Sequence, residues 1–143
     1  MSRFIDPIPE DKQPLESENV NYDVVYRAMY NRDVNDINNF LPTYIERNYK
    51  PESFFSREKS IFSLSVFTSE KELIAHLKPN AKKWSQVEAL AKGHTDVSKG
   101  IATKDNEGHV DYYLYDYLNN NPCSDFEYVK DIDKTNEQSN GFK

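Results

Sequence analysis

The sequence predicts a small α+β domain, in which a mixed or antiparallel sheet of about four to six strands packs with one to three short helices. Three observations lead to this class. The chain has 143 residues, the usual size of one domain. Apolar and polar residues alternate with the period of a strand in several separate segments. Only a few short segments have the spacing of a helix, and polar turns divide the segments.

Five segments are predicted to be strands, because β-branched and aromatic residues dominate them. They are residues 23–30, 61–67, 100–103, 109–117 and 126–130. A helix is predicted over residues 69–77, where Ser69 and Glu72 have the spacing of a capping box. A second short helix is predicted within residues 33–40. Residues 84–92 fit a strand and a helix equally well, and both interpretations stay open.

The two ends of the chain differ in composition from its middle. Residues 1–21 hold three of the seven prolines together with a run of polar and acidic residues. We expect a flexible N-terminal arm here, attached through Phe4 and Ile5. Residues 133–143 are polar and are expected to form a flexible C-terminal tail. The folded domain is therefore predicted to span residues 22–132.

Composition excludes several classes of protein. The net charge is -6, which disfavours nonspecific binding to nucleic-acid phosphates. The single cysteine, Cys123, allows no internal disulfide and fits a reducing compartment. No apolar run approaches the roughly 20 residues of a membrane helix. We expect a cytoplasmic protein with no membrane or nucleic-acid partner and no bound metal.

Arg27 is the one charge inside an otherwise apolar predicted strand, on the face shared by Val25 and Met29. A buried arginine needs an anion or a hydrogen-bonding cage. The residue therefore either clamps a phosphate or carboxylate ligand, or forms a salt bridge with Asp111 or Glu127. An exposed edge strand is the third possibility.

Ser63 and Ser65 share one face of the second strand. Their hydroxyls either hold a ligand or orient a neighbouring side chain, or they form the polar side of a half-exposed strand. No GxSxG pattern surrounds either serine, so the motif of the α/β-hydrolases is absent.

His109 and Asp111 form an H-x-D pair on one strand face, a spacing that could bind a metal or let Asp111 orient His109 as a catalytic base. The alternative is a histidine that closes a turn. Glu127 lies in the last strand and either stabilises a cationic transition state or points into solvent. Tyr113 belongs to a tyrosine-rich strand that either stacks on an aromatic ligand or packs the core.

The order of Arg27, the Ser63-Leu-Ser65 strand and Glu127 resembles that of small ADP-ribosyltransferase-like domains, and is similar in outline to RES-type toxins. The resemblance implies NAD as substrate, with Arg27 on its phosphate or ribose and Ser65 supporting the site. It further implies that Tyr113 stacks on nicotinamide and that Glu127 is catalytic. The classical pattern has Ser-Thr-Ser, and it has glutamate where this chain has Asp125.

Two functional hypotheses follow. The first is an NAD-utilising ADP-ribosyltransferase-like or NAD-degrading toxin or effector. The alternative is a non-enzymatic acidic protein-binding module, such as an inhibitor, an immunity or antitoxin-like protein, or a phage or mobile-element accessory protein. Ten Tyr and eight Phe also allow a homodimer through an aromatic face.

Overall fold

The computed structural model describes residues 4–5, 8–105 and 108–134, and an antiparallel sheet of six strands runs through these residues. The strands are β1 (Val25–Met29), β2 (Leu64–Phe67), β3 (Ala89–Gly93), β4 (Gly100–Lys104), β5 (His109–Leu114) and β6 (Phe126–Asp131). Their order across the sheet is β4-β5-β2-β1-β3-β6. The predicted α+β class and strand number are confirmed.

Three α-helices accompany the sheet within the described residues: α1 (Thr43–Glu46), α2 (Glu70–Leu77) and α3 (Ala81–Gln86). Short 3-10 turns lie at Glu10–Lys12, Glu16–Glu18, Ile37–Phe40, Pro51–Ser56, Lys59–Phe62 and Pro122–Asp125. None of the described helices has the length and apolar character needed to cross a membrane.

Helix α2 begins where its capping residues predict. The Ser69 hydroxyl accepts a hydrogen bond from the Glu72 amide at 3.1 Å, which satisfies a backbone donor that the first helical turn leaves free. Leu73 and Leu77 then bury their side chains against the sheet. Both interpretations of residues 84–92 hold in part, because α3 ends at Gln86 and β3 begins three residues later, after the extended Val87.

The predicted helix at residues 33–40 is reduced to the 3-10 turn Ile37–Phe40. Asp33 and Asp36 explain the difference, because each carboxylate accepts a hydrogen bond from the amide two residues further on, at 3.0 Å. Such local bonds offer the backbone an alternative to helical pairing. The second strand is also shorter than predicted, since Ile61 and Phe62 belong to a 3-10 turn.

The two faces of the sheet carry separate apolar clusters. One face buries Val25, Met29, Leu64, Val66, Ala89, Ala91, Val110, Tyr112 and Leu114 with Phe40 and Phe126. The other face packs Ala28, Phe67 and Leu90 against Leu73, Leu77 and Trp84 of α2 and α3. This second face matters for function, because its helices leave a polar opening beside β1 and β2.

Residues predicted to form the N-terminal arm contact the sheet. The Val20 amide donates to the Ala102 carbonyl at 2.8 Å, and the Asn19 side chain accepts from the Ala102 amide at 2.9 Å. Ile8 is buried in a third apolar cluster. Asn19 and Val20 therefore lie along β4, the edge of the sheet. Residues 135–143 of the predicted tail lie outside the described part of the chain.

Candidate functional site

Arg27 lies where strands β1 and β2 diverge. The two strands share one registered pair, Tyr26 with Phe67. Beyond that pair the Arg27 side chain adds a hydrogen bond between the two strands, since its Nη1 donates to the Ser65 carbonyl at 3.0 Å. Its Nε donates to the Asn39 carbonyl at 3.0 Å. Arg27 is therefore a buried structural donor as well as a candidate ligand contact.

The ion-pair partner of Arg27 is Glu46 of α1, at 2.9 Å, and neither Asp111 nor Glu127. Glu46 also accepts a hydrogen bond from the Tyr30 hydroxyl at 2.8 Å. Because the charge of Arg27 is balanced inside the domain, the salt-bridge interpretation was correct about the type of interaction and wrong about the partner.

Lys83 of α3 joins this group from the opposite side. Its ammonium hydrogen-bonds the Tyr30 hydroxyl and lies 3.7 Å from a Glu46 oxygen. Burial lowers the pKa of Lys83, while the negative charge of Glu46 opposes that shift. Burial, together with Glu46, raises the pKa of Tyr30 above its usual value. Arg27, Tyr30, Glu46 and Lys83 thus form one continuous polar network.

The network opens into a cavity of about 430 Å³ between α1 and α3. A smaller cavity of about 90 Å³ shares part of its wall and extends over Ser65, Phe67 and His76. The charged residues of the two cavities are Arg27, Arg47, Lys82, Lys83 and Glu46. We call the two cavities together the basic cleft, since four cations face one carboxylate in a chain of net charge -6.

Ser65, His109 and Asp105 form a hydrogen-bonded relay beside the smaller cavity. The Ser65 hydroxyl lies 3.0 Å from His109 Nε2, and Asp105 Oδ2 lies 2.7 Å from His109 Nδ1. An ionised carboxylate only accepts, so Nδ1 carries the proton that is donated to Asp105. In the neutral imidazole Nε2 is then an acceptor, and the Ser65 hydroxyl donates to it.

Asp111 lies on the same side of the sheet as the relay. Its Oδ1 lies 3.6 Å from His109 Nε2, and the buried Ser63 hydroxyl donates to this carboxylate at 3.2 Å. Burial raises the pKa of Asp111, while the charge of His109 acts in the opposite direction. The predicted proximity of His109 and Asp111 is therefore present, although Asp105 makes the shorter contact.

Asp105, His109 and Asp111 offer possible metal ligands within 4.8 Å of one another. The two carboxylates, however, approach different nitrogens of the imidazole ring. A metal ion would bind one of these nitrogens, and its other ligands would have to surround the ion on that side of the ring. The arrangement therefore fits a hydrogen-bonded relay better than a single coordination sphere.

His76 of α2 stacks on His109, with ring centroids 5.4 Å apart and planes 12° from parallel. Partial burial lowers the pKa of His76, and the neighbouring His109 lowers it further. The neutral form of His76 is thus favoured. A neutral ring on this side places no positive charge against His109.

Tyr113 and Glu127 are not brought to this site. Tyr113 has no exposed surface and lies in the apolar cluster with Ile8, Phe54 and Phe62, so it offers no face to a nicotinamide ring. Glu127 is an exposed residue of β6, which β3 separates from β1. Of the three residues to which the resemblance assigns roles at one site, Arg27 and Ser65 therefore lie together and Glu127 lies apart.

Sequence reasoning missed Asp105, His76, Glu46 and Lys83. For Asp105 a signal was present, because a hairpin between the predicted strands at residues 100–103 and 109–117 pairs Asp105 with His109 across the turn. Glu46 and Lys83 come from segments without clear periodicity. Only tertiary packing brings them to Arg27, so no local pattern could have identified them.

Comparisons with protein-family models, with curated proteins and with solved structures each found no match to this chain. The protein is therefore defined by its own geometry, as a small α+β domain with a basic cleft and a serine–histidine–aspartate relay.

Proposed function

We propose that the basic cleft binds an anionic small molecule that carries phosphate or carboxylate groups, and that nucleotides are the first class to test. The observation that supports this proposal is that the cleft carries an excess of positive charge while the whole chain is negative. Arg27, Arg47, Lys82 and Lys83 line the cleft against Glu46 alone, although acidic residues outnumber basic residues by 24 to 18 in the whole chain. A concentration of cations in a concave site attracts and holds anions.

The cations of the cleft divide into two roles. Arg27 donates hydrogen bonds to Glu46 and to two backbone carbonyls, so it fixes the wall of the cleft. Arg47 and Lys82 are exposed at the opening, and Lys83 is half-buried beside Tyr30. We therefore expect Arg47, Lys82 and Lys83 to contact the charged groups of the ligand.

Neutral polar groups add specificity. The side chains of Asn80 and Gln86 line the larger cavity beside Tyr30. Amide groups donate and accept hydrogen bonds, which suits the hydroxyls of a sugar as well as the edge of a base. The volume of about 430 Å³ lies within the range of small-molecule sites.

NAD is the first nucleotide to test, because it satisfies this chemistry and is the substrate implied by the resemblance to ADP-ribosyltransferase-like domains. Cleavage of NAD in this cleft would draw on Glu46, the carboxylate that lines it, and not on Glu127. Glu46 is held by Arg27 and Tyr30, which keeps its orientation fixed.

Calorimetric titration with NAD, ADP-ribose, ADP and uncharged adenosine tests the proposal. We expect the three anions to bind, adenosine to bind far more weakly, and added salt to weaken the anions selectively. Arg47→Ala should weaken anion binding about tenfold or more, because a charge-assisted hydrogen bond is lost.

Lys71→Ala is the matched control, since it removes a positive charge from an exposed position of α2 outside the cleft. It should leave the affinity unchanged. Absence of binding for all three anions, or equal affinity for anions in wild type and Arg47→Ala, would contradict the proposal.

A further inference from the structure

We infer that Ser65 is a nucleophile, that His109 is its general base and that Asp105 positions His109, for the hydrolysis of a short-chain acyl ester. The inference rests on the proposed function for recognition of the substrate, since the basic cleft would hold an anionic alcohol part. The observation that supports it is the chain of contacts from Asp105 through both imidazole nitrogens of His109 to the Ser65 hydroxyl.

The geometry meets the requirement for nucleophile activation. A base must lie within about 2.6–3.2 Å of the hydroxyl that it deprotonates, and a third group must orient the base. The distances of 3.0 Å and 2.7 Å satisfy both conditions. The side chain of His109 is 14% exposed, so packing holds the ring, while Asp105 is 47% exposed at the turn.

The fold brings the three residues together on adjacent strands. Ser65 pairs with Asp111 across β2 and β5, so His109 lies two residues from the position opposite Ser65. Asp105 returns to His109 across the β4–β5 turn, where its amide donates to the His109 carbonyl at 3.0 Å. The relay is thus built on paired backbone and does not depend on a GxSxG turn.

The surroundings of Ser65 suit a negatively charged intermediate. Arg27 and Arg47 line the same cavity of about 90 Å³ as Ser65, and Arg27 Nη1 already contacts the Ser65 carbonyl. The positive charge of these side chains favours the oxyanion that develops on the ester carbonyl oxygen. The small volume beside Phe67 and His76 admits a short acyl group such as acetyl.

The proposed reaction balances with water as the co-reactant. Ser65 Oγ forms a bond to the ester carbonyl carbon, and its proton passes to His109 Nε2. The bond from carbon to the alcohol oxygen then breaks, and that oxygen takes the proton from His109. Water repeats the two steps on the acyl-serine, which releases the carboxylic acid and restores Ser65.

Labelling with an uncharged fluorophosphonate, followed by intact and peptide mass spectrometry, tests the inference on the full chain. We expect one adduct, located at Ser65, and none in Ser65→Ala. Ser98→Ala is the control, because Ser98 is exposed in a turn remote from the relay, and it should be labelled at the wild-type rate. Absence of an adduct at Ser65 in folded wild-type protein would overturn the inference.

A second set of variants separates catalysis from structural support. His109→Ala should lower the labelling rate about 100-fold, the usual contribution of a general base, and added imidazole should restore part of it. Asp105→Asn should slow labelling, and Asp105→Glu should recover part of the rate. Equal labelling in wild type and in folded His109→Ala would overturn the relay.

The probe carries no anionic group, so labelling reports on Ser65 whether or not the cleft binds nucleotides. Loss of anion binding with labelling intact would therefore count against the proposed function alone. Anion binding without a Ser65 adduct would leave the cleft as a binding site and overturn the nucleophile. A further supporting result is acetyl-Ser65 trapped with an activated acetyl ester.

Discussion

The guanidinium of Arg27 and the carboxylate of Glu46 are joined at 2.9 Å, and their side chains are only 7% and 12% exposed. This pair links a central strand to a four-residue helix that has little stability of its own. It also fixes one wall of the basic cleft. The stability of the domain and the shape of its candidate site therefore depend on the same contact.

Glu46→Gln is expected to lower the free energy of unfolding by about 3 kcal/mol, because it leaves the buried charge of Arg27 without a counter-ion. Urea denaturation measures the change. Asp131→Asn is the matched control, since it breaks a pair with Arg32 that is 63% and 43% exposed, and it should alter stability little. Equal stability of wild type and Glu46→Gln would contradict the structural role of the pair.

Tyr113→Phe is expected to leave the protein as stable as wild type or about 1 kcal/mol more stable. The Tyr113 hydroxyl is buried without a hydrogen-bond partner among the described residues, so its removal relieves a desolvation penalty. Thermal or urea unfolding gives the comparison.

Tyr112→Phe provides the opposite case on the neighbouring residue. The Tyr112 hydroxyl accepts from the Asp96 amide at 2.9 Å and lies 3.2 Å from the Asp96 carbonyl. Removal of this hydroxyl should lower the free energy of unfolding by about 1 kcal/mol. Destabilisation of both variants to the same extent would show that Tyr113 has a polar partner in solution.

Asp111→Asn is expected to change how stability depends on pH. Burial raises the pKa of Asp111 in the folded protein above its unfolded value of 3.8. Between these two pKa values the folded state binds more protons than the unfolded state, so the contribution of Asp111 to stability falls as pH rises. That fall is complete once pH exceeds the raised pKa.

The measurement is urea denaturation of wild type and Asp111→Asn at a series of pH values from about 3.5 to 7. Asp36, Asp96 and Asp116 have lowered pKa values, so their contribution to stability rises with pH. These three residues are common to both proteins. The difference between the two proteins therefore reports Asp111 together with the groups that it contacts, and the stability of the variant should rise relative to that of wild type as pH rises. A difference independent of pH would contradict the raised pKa.

Much of the fold was predictable because local signals specify it. Ser69 and Glu72 define the start of α2, and alternation placed Val25 and Met29 on a face opposite Ala28. The errors occurred where side chains compete with helical hydrogen bonds, as at Asp33 and Asp36. The order of the strands was beyond local reasoning, since it depends on pairing between distant segments.

The candidate site was predictable only in part, for the same physical reason. Ser65 and His109 were identified as polar residues on strand faces, and pairing of β2 with β5 brings them together. Glu127 was expected to join them, but it lies on an edge strand beyond β3. Glu46 and Lys83 reach the site from short helices whose positions are set by tertiary packing.

The order β4-β5-β2-β1-β3-β6 has a consequence for how the domain folds. Among the strand pairs of the described residues, β4 and β5 alone are joined by a short connection, and the other pairs close long loops in the chain. Loop-closure entropy opposes such pairings until several form together, so folding is expected in about the millisecond to second range. During synthesis on the ribosome, β1 can pair with both of its neighbours in the sheet only after β3 has emerged.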